Sequence, residues 1–283
     1  MNTNTPSTLA ASSPSIKWTK KTWNPVSGCQ KVSAGCKFCY AEAIATGKRG
    51  SSCGFKTGFE LTLHPERLSQ PLNQKVPAVY FVNSMSDLFW EDVPADMVEK
   101  IFDVIEATPW HIYQIQTKRP ERMLEQSLRR PFPKNIWTGV TVENQDTAWR
   151  VDVLRQVNAQ VRYLSCEPLL SPLQLDWQAV DWVITGGETG PHLLEASICA
   201  KRGLVEKIGS AWTPRAECMN WVRQIRDGCH AAGTLFYHKQ WGGPWYDKDN
   251  NWLDGKQWEQ FPPVPIIARS TPTASEQMLF DLL

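Results

Sequence analysis

The stretch PAVYFVNSMSDLFWEDVPADMVEKIFDVIEATPWHIYQIQT, residues 77–117, decides the fold of this chain. Residues 78–83 and 111–117 are short apolar runs, each of the length and composition typical of a strand. Between them, apolar residues recur on one helical face from Pro94 to Thr108, which predicts an amphipathic helix. A strand, a helix and a second strand in this order predict a βαβ unit with parallel strands.

The same alternation continues on the C-terminal side. Further strands are predicted at 135–142, 160–165, 181–185 and 234–238, and further helices from Pro120, around 147–157 and at 216–232. The pattern predicts an α/β fold, an incomplete TIM-like (β/α) barrel of about six parallel strands. We expect a disordered lead at 1–15, the barrel at 16–245 with an insertion at about 189–214, and a proline-containing tail at 246–283.

Composition narrows the function classes. Lys and Arg number 30 against 29 Asp and Glu, so bulk charge neither requires nor excludes a nucleic-acid partner. No apolar run is long enough for a membrane helix, and the N-terminus has no secretion signal. We therefore expect no membrane partner and a cytoplasmic location, where the eight cysteines would stay reduced. The 14 Trp are an unusual excess, and no glycine-rich phosphate motif follows a strand.

Each predicted strand is followed by residues that could bind a ligand or take part in a reaction. In order, these are Asn83, Ser84, Ser86 and Asp87; Lys118 and Arg119; Glu143 and Asn144; Cys166 and Glu167; Gly186, Gly187 and Glu188; and Lys239 and Gln240. Because the carboxyl ends of parallel barrel strands open on one face, the sequence predicts a site there. The alternative is that loops are simply polar. Gln114 and Gln116 inside a strand also indicate a polar lumen.

The strongest local motif is Cys29-x6-Cys36-x2-Cys39, within WNPVSGCQKVSAGCKFCYAE. Three thiols so close together favour one inorganic centre, and thiolates suit zinc or an iron–sulfur cluster. A structural zinc site needs four ligands, which Cys53 or His64 would complete. With three thiolates alone, a cluster keeps one iron open.

The segment from Cys36 to Cys39, with Phe38 before the last cysteine, resembles the second half of a radical-SAM cluster loop. The usual loop separates its first two cysteines by three residues, whereas this one uses six. Over residues 16–245, blocks such as VNSMSDLFWEDVP, QTKRPERM, IWTGVTVENQ, RYLSCEPLL and HKQWGG resemble a phage-type family of radical-SAM-like barrel proteins. The cysteine loop of that family is comparable to that of spore photoproduct lyase. The resemblance is specific as to family, and it leaves the substrate unassigned.

The resemblance implies that Cys29, Cys36 and Cys39 hold a 4Fe-4S cluster that binds S-adenosylmethionine (SAM). Electron transfer from the cluster would then give a 5′-deoxyadenosyl radical, with a reductant such as flavodoxin or ferredoxin as partner. The residues placed for cofactor binding are Phe38, Tyr40, Asn83, Ser84, Ser86, Asp87, Glu143, Asn144, Gly186, Gly187 and Glu188. Those placed for substrate binding are Lys118, Arg119, Glu167, Arg215, His238 and Lys239.

The leading interpretation is thus a radical enzyme that modifies or repairs nucleic acid or a nucleotide-derived substrate. The alternative is a non-catalytic zinc- or cluster-binding barrel that docks a partner protein or DNA. A barrel metallohydrolase is disfavoured because no His/Asp ligand set follows the strands. Residues 277–282, QMLFDL, resemble peptides that dock on the bacterial sliding clamp, although a C-terminal helix packed on the barrel is an alternative. Of the other cysteines, Cys166 is expected to be a buried structural thiol, and the insertion could bring Cys199 and Cys218 together.

Overall fold

The computed structural model describes residue 19, residues 21–47, residue 50, residues 55–247 and residues 249–264. The predicted N-terminal lead, Cys53 and the predicted clamp-docking peptide at 277–282 lie outside these residues.

Seven parallel strands form one sheet in the part of the chain that the structure describes. They are β1 (Lys21–Trp23), β4 (Val79–Val82), β5 (Ile112–Thr117), β6 (Ile136–Thr141), β7 (Val161–Cys166), β8 (Trp182–Gly186) and β11 (Leu235–Gln240). Each strand pairs with its neighbour in chain order, and every pairing is parallel. The predicted α/β class and incomplete barrel are therefore confirmed, as a seven-stranded half-barrel. The strand missing from the prediction is β1, which has three residues of which only Trp23 is buried.

The helices are α1 (Tyr40–Thr46), α2 (Gln70–Asn73), α3 (Ala95–Ala107), α4 (Pro120–Arg129), α5 (Arg150–Leu154), α6 (Ala196–Arg202) and α7 (Ala216–Ala232). Three antiparallel two-stranded sheets pair β2 (Val26–Ser27) with β3 (Thr62–Leu63), β9 (Val205–Ile208) with β10 (Ala211–Pro214), and β12 (Trp252–Leu253) with β13 (Lys256–Gln257); the last two pairs are hairpins. The helix predicted around 147–157 is shorter, because a 3₁₀ turn occupies Gln145–Thr147 before α5. Helix α6 and the β9–β10 hairpin occupy most of the predicted insertion.

The two faces of the sheet carry different cores. The outer face packs on the helices, with apolar residues such as Ile101 of α3 and Val222 of α7. The inner face carries an aromatic layer formed by Phe81, Trp137, Tyr163, Trp182 and Tyr237. Within that layer the ring of Trp182 lies 4.8 Å from the ring of Phe261, which comes from the C-terminal segment. Bulky rings thus fill the amino-terminal half of the half-barrel and leave the carboxyl ends of the strands for a site.

A helix that crosses a membrane needs about 20 predominantly apolar residues, and the helices that the structure describes fall short of this. None of them is both long enough and apolar enough to cross a membrane.

Candidate functional site

The cysteine loop joins β2 to α1 and begins with a close backbone contact. Gly28 has φ +87°, and a Cβ atom there would lie 2.1 Å from the carbonyl oxygen of Glu60. Its N–H donates to the carbonyl of Met85 at 3.0 Å, and the Ser86 hydroxyl donates to the Gly28 carbonyl at 2.7 Å. Glycine is required at this position, and the segment after β4 fixes the start of the loop.

A buried carboxylate after β4 organises the residues next to Cys29. Asp87 accepts hydrogen bonds from two backbone N–H groups, from the Thr117 hydroxyl at 2.7 Å and from the Arg119 guanidinium at 3.2 Å. Arg119 in turn donates to the carbonyl of Gln30 at 3.2 Å, and its Nη1 lies 3.9 Å from the Cys29 Sγ. Asp87 therefore positions Arg119 against the loop.

The Cys29 thiol is held in its protonated form. Burial and, to a smaller extent, the Asp87 carboxylate raise the pKa of Cys29 to about 11, although the Arg119 guanidinium acts to lower it. Because a metal ligand must be a thiolate, binding at Cys29 would release a proton. Arg119 is already paired with Glu91 at 2.8 Å, so the structure does not leave it free for a substrate.

A second carboxylate, after β6, holds the middle of the loop. Glu143 has no exposed surface, accepts from the Gly35 N–H at 3.2 Å and pairs with Arg150 at 3.0 Å. Burial acts to raise the pKa of Glu143, but a hydrogen bond from Ser33 and the charges of Arg150 and Lys118 lower it below its usual value. Glu143 is therefore a charged anchor for the loop.

A third carboxylate, after β8, reaches the CKFC segment through two partners. Glu188 is buried and receives two hydrogen bonds of 2.7 Å from Arg202, while His192 lies 3.2 Å away. The His192 ring stacks on Phe38 with centroids 3.9 Å apart and planes 4° from parallel, and the Arg202 guanidinium lies 5.2 Å from the Phe38 centroid. Arg202 also donates to the carbonyl of Ala34 at 3.1 Å. We refer to Glu188, His192 and Arg202 as the Phe38 clamp.

The clamp residues His192 and Arg202 were missed by sequence reasoning. The signal for His192 was its position four residues after Glu188, on a short helix. Arg202 sits at the end of α6, and nothing in the sequence indicates that it reaches residues 34 and 38.

The three loop thiols differ from the other cysteines in exposure. Cys29, Cys36 and Cys39 are half-buried, whereas the four further cysteines that the structure describes are buried. Cys39 directly precedes α1, and the Cys36 Sγ lies 3.9 Å from the Ser33 hydroxyl. Next to Cys39, the Tyr40 hydroxyl donates to the carbonyl of Ser84. The loop thus presents three accessible soft donors.

The case for a metal centre at these three thiols rests on the type of donor atom and not on their arrangement. No group of three or more His, Cys, Asp and Glu side chains within the described ranges is arranged around a single metal ion. A zinc ion would need sulfur ligands about 2.3 Å away. Cysteine thiolates are nevertheless the side chains that hold iron–sulfur clusters in proteins, and three cysteines lie on this loop. His64, the alternative zinc ligand, lies 2.8 Å from the Ser27 hydroxyl through Nε2 and 3.4 Å from Glu66 through Nδ1, so both ring nitrogens are engaged.

The inner face near the strand ends is polar, in line with the predicted lumen. Gln116 donates to the Thr141 hydroxyl at 2.9 Å, and its buried side-chain oxygen Oε1 has no hydrogen-bond partner among the residues that the structure describes. Glu167 and Lys239 form an ion pair in front of Gly186, whose Cβ, if present, would lie 3.1 Å from the Glu167 carboxyl carbon. The inner face near the strand ends therefore carries hydrogen-bonding groups and an ion pair.

Other predicted site residues serve the fold. His238 is fully buried and bonds to Thr185 at 2.9 Å, so it is out of reach of a substrate in the lumen. Gly187 allows close packing, since a Cβ there would lie 1.9 Å from the carbonyl oxygen of Trp241. Arg215 donates to the carbonyls of Ala200 and Gly203 at 3.0 and 3.1 Å and so fixes the end of α6.

The segment after β4 and the residue after Glu143 also serve local structure. Asn83 accepts from the Val26 N–H at 3.3 Å, while its buried Nδ2 has no partner within the described part of the chain, and the Ser84 hydroxyl donates to Asn24. Asn144 forms a capping box with Thr147.

Three of the remaining cysteines were considered in the sequence predictions, and all three are buried. Cys166 is fully buried in the core shared by the outer face of the sheet and helix α7, as expected of a structural thiol. Cys199 and Cys218 interact electrostatically, so α6 brings them near each other.

A cleft of about 660 Å³ lies beside the loop. Its walls are Lys37 of the loop, the 3₁₀ turn after β6, Ser171, and helix α6 with Lys201. Both signs of charge line it, because Asp146 faces the lysines.

The sequence matches the protein family of unknown function DUF5131 over residues 13–203. The chain belongs to the DUF5131 family. No curated protein matches this DUF5131 protein, so the predicted phage-type assignment stays a prediction.

Among solved structures, this DUF5131 protein is similar to a mutant of spore photoproduct lyase, with a TM-score of 0.54, 12% identity, and coverage of 82% of this chain and 79% of that one. It is also similar to spore photoproduct lyase complexed with dinucleoside spore photoproduct, with a TM-score of 0.54, 11% identity, and coverage of 79% and 77%. A further mutant, with bound AdoMet and dinucleoside spore photoproduct, gives a TM-score of 0.50, 10% identity, and coverage of 78% and 76%. At these identities the similarity shows a shared fold.

Proposed function

We propose that this protein is an iron–sulfur, SAM-dependent radical enzyme acting on nucleic acid or a nucleotide-derived substrate. The observation that carries the proposal is the anchored cysteine loop. Three half-buried thiols lie on one loop, and buried carboxylates from three strand ends hold that loop over a parallel half-barrel. So many restraints on one loop are expected where reacting groups must be positioned within a fraction of an ångström.

Cys29, Cys36 and Cys39 would hold the cluster through their thiolates. A bound 4Fe-4S cluster would supply the electron that cleaves SAM. The chain's own contribution is positioning and charge. Arg119, 3.9 Å from the Cys29 Sγ, favours the thiolate form of that residue, and Glu143 holds the backbone before Cys36. A flavodoxin or ferredoxin in a reducing compartment such as the cytoplasm would provide the electron.

The proposal of a nucleic-acid substrate rests on the similarity to spore photoproduct lyase and on the polar residues of the inner face. Spore photoproduct lyase binds AdoMet and a dinucleoside. In this chain, Gln116 and the Glu167–Lys239 pair present hydrogen-bonding groups of both kinds on the inner face. Lys118 has no ion pair among the described residues and is available to a phosphate or a carboxylate. These four residues are the proposed substrate contacts.

The proposal is tested on protein purified and reconstituted anaerobically with iron and sulfide, then reduced and mixed with SAM. We expect absorbance typical of an iron–sulfur cluster and formation of 5′-deoxyadenosine, measured by chromatography. Cys36→Ala should lose both signals, whereas Cys199→Ala, a buried cysteine outside the loop, should keep both. Stoichiometric zinc with no SAM cleavage would replace the proposal by the non-catalytic barrel that docks a partner.

The clamp-docking peptide at 277–282 stays a prediction. Calorimetry of the tail peptide with purified sliding clamp should show binding that is lost when Gln277 is replaced by Ala. Absence of heat with the natural peptide would remove this partner.

A further inference from the structure

We propose that the Phe38 clamp is a positioning device that sets the placement of Cys36 and Cys39. The clamp belongs to the end of β8 and the segment inserted after it, not to the cysteine loop. Its effect on the thiols is a property of the protein alone, and only its consequence for a cluster rests on the proposed function.

The clamp sets an imidazole ring and a guanidinium group against one aromatic ring. Phe38 lies between Cys36 and Cys39, and its ring has His192 stacked parallel at 3.9 Å and the Arg202 guanidinium at 5.2 Å. Stacking and cation–π contact both depend on ring orientation. With these partners in place, the ring cannot turn without losing them, so the backbone on both sides of Phe38 is restrained.

The partners are themselves fixed by a buried charge. The Glu188 side chain is 5% exposed and the Arg202 side chain 11%, and the two form a paired contact through both carboxylate oxygens. A bidentate guanidinium–carboxylate pair has a set orientation, and removal of one member leaves a buried charge unpaired. The clamp therefore resists rearrangement.

Arg202 reaches the loop on the other side of Cys36 as well. Its Nη2 donates to the carbonyl of Ala34 at 3.1 Å, two residues before the thiol, while Phe38 follows two residues after it. Arg202 is fixed in turn, since Arg215 at the start of α7 bonds to carbonyls at the end of α6. Contacts that run from α7 through α6 to the loop thus restrain the backbone on both sides of Cys36.

Restraints on both sides of Cys36 compensate for the length of this loop. Six residues separate Cys29 from Cys36, and each extra residue adds backbone freedom that must be lost when a fixed geometry forms. Glu143 restrains the residues before Cys36, and the clamp restrains those around and after it. The clamp lowers the ordering cost of the second and third thiols.

The test uses cluster-free protein and the alkylation rate of each cysteine by iodoacetamide, followed by mass spectrometry. In Arg202→Met the rates at Cys36 and Cys39 should rise about tenfold, because local opening becomes easier. Loss of a nearby positive charge would by itself slow thiolate formation, so faster alkylation reports mobility. Lys201→Met, the neighbouring exposed lysine on α6, should leave both rates unchanged.

Buried Cys166 and Cys229 report on global unfolding and should stay unreactive. If Arg202→Met opens the whole fold, Phe38→Leu removes the stacking and keeps the Glu188–Arg202 pair, with the same expected selectivity. Arg202→Lys should recover part of the protection. Unchanged rates at Cys36 and Cys39 in Arg202→Met and Phe38→Leu would overturn the proposal. If wild-type protein takes up no iron, the proposed function fails. The alkylation rates then still show whether the Phe38 clamp restrains Cys36 and Cys39.

Discussion

Glu143 shows how one residue can be both costly and necessary. A carboxylate without exposed surface is stable as an ion only with partners that replace water, and it has the Gly35 N–H and the Arg150 guanidinium. Asp87 and Glu188 are built in the same way. All three carboxylates face the cysteine loop, so the polar strand ends that the sequence marks as a site act mainly as supports for that loop.

Replacement of Glu143 by Gln tests this support. The change leaves Arg150 buried without its ionic partner, and we expect a loss of about 3–5 kcal/mol in the free energy of unfolding. Urea denaturation followed by circular dichroism gives the value. Glu125→Gln, an exposed residue on α4, is the matched control and should change stability by less than about 0.5 kcal/mol. A loss of the same small size for Glu143→Gln would show that the buried pair contributes nothing.

The lowered pKa of Glu143 also makes stability depend on pH. When the pH falls below the usual carboxyl value, the unfolded chain takes up a proton that folded Glu143 still refuses, so stability decreases until the folded pKa is passed. Glu143→Gln removes this contribution. The acid side of the stability profile, measured by urea denaturation at successive pH values, should therefore be flatter in the variant than in wild type or Glu125→Gln. Parallel profiles would mean that other carboxylates cause the acid dependence.

At the scale of elements, Gly139 decides how β6 and β7 pack. A Cβ at Gly139 would lie 2.3 Å from the Tyr163 ring, which occupies the space on the inner face. We expect Gly139→Ala to cost about 1–3 kcal/mol by overpacking. The double variant with Tyr163→Leu should cost less than the sum of the two single changes, because the ring is gone. Additive costs in urea denaturation would contradict a clash.

The elements that could be predicted from the sequence are those in which apolar residues recur with a clear helical or strand period. Helix α7 was predicted at 216–232, where the structure has it, and α3 differs by one residue at each end. Strand β1 has three residues and is defined by its pairing with β4, which only the folded sheet supplies. Helix α5 is shortened by a capping box between Asn144 and Thr147.

The candidate site divides in the same way. The thiol motif is local and was predicted, whereas the contact between Arg202 and Ala34 joins residues 168 positions apart and depends on the fold.

The whole molecule has little charge left for a polyanion. The net charge is +1, and many arginines, such as Arg119, Arg150 and Arg202, are paired with carboxylates inside the protein. Contacts to a nucleic-acid backbone must then come from a few exposed cations near the lumen. Under the proposed function, this charge distribution favours recognition of a local feature of the nucleic acid over binding of a long stretch by charge.

The salt dependence of nucleic-acid binding measures that number of contacts. For a single-stranded oligonucleotide, followed by fluorescence anisotropy, log K against log salt should fall with a slope of about 2, since each neutralised phosphate contributes about 0.7. Lys118→Met should reduce the slope by about one contact, and Lys256→Met, an exposed lysine on β13 that is not among the proposed substrate contacts, should not change it. A slope above about 5 would require an extended basic surface and would contradict this prediction.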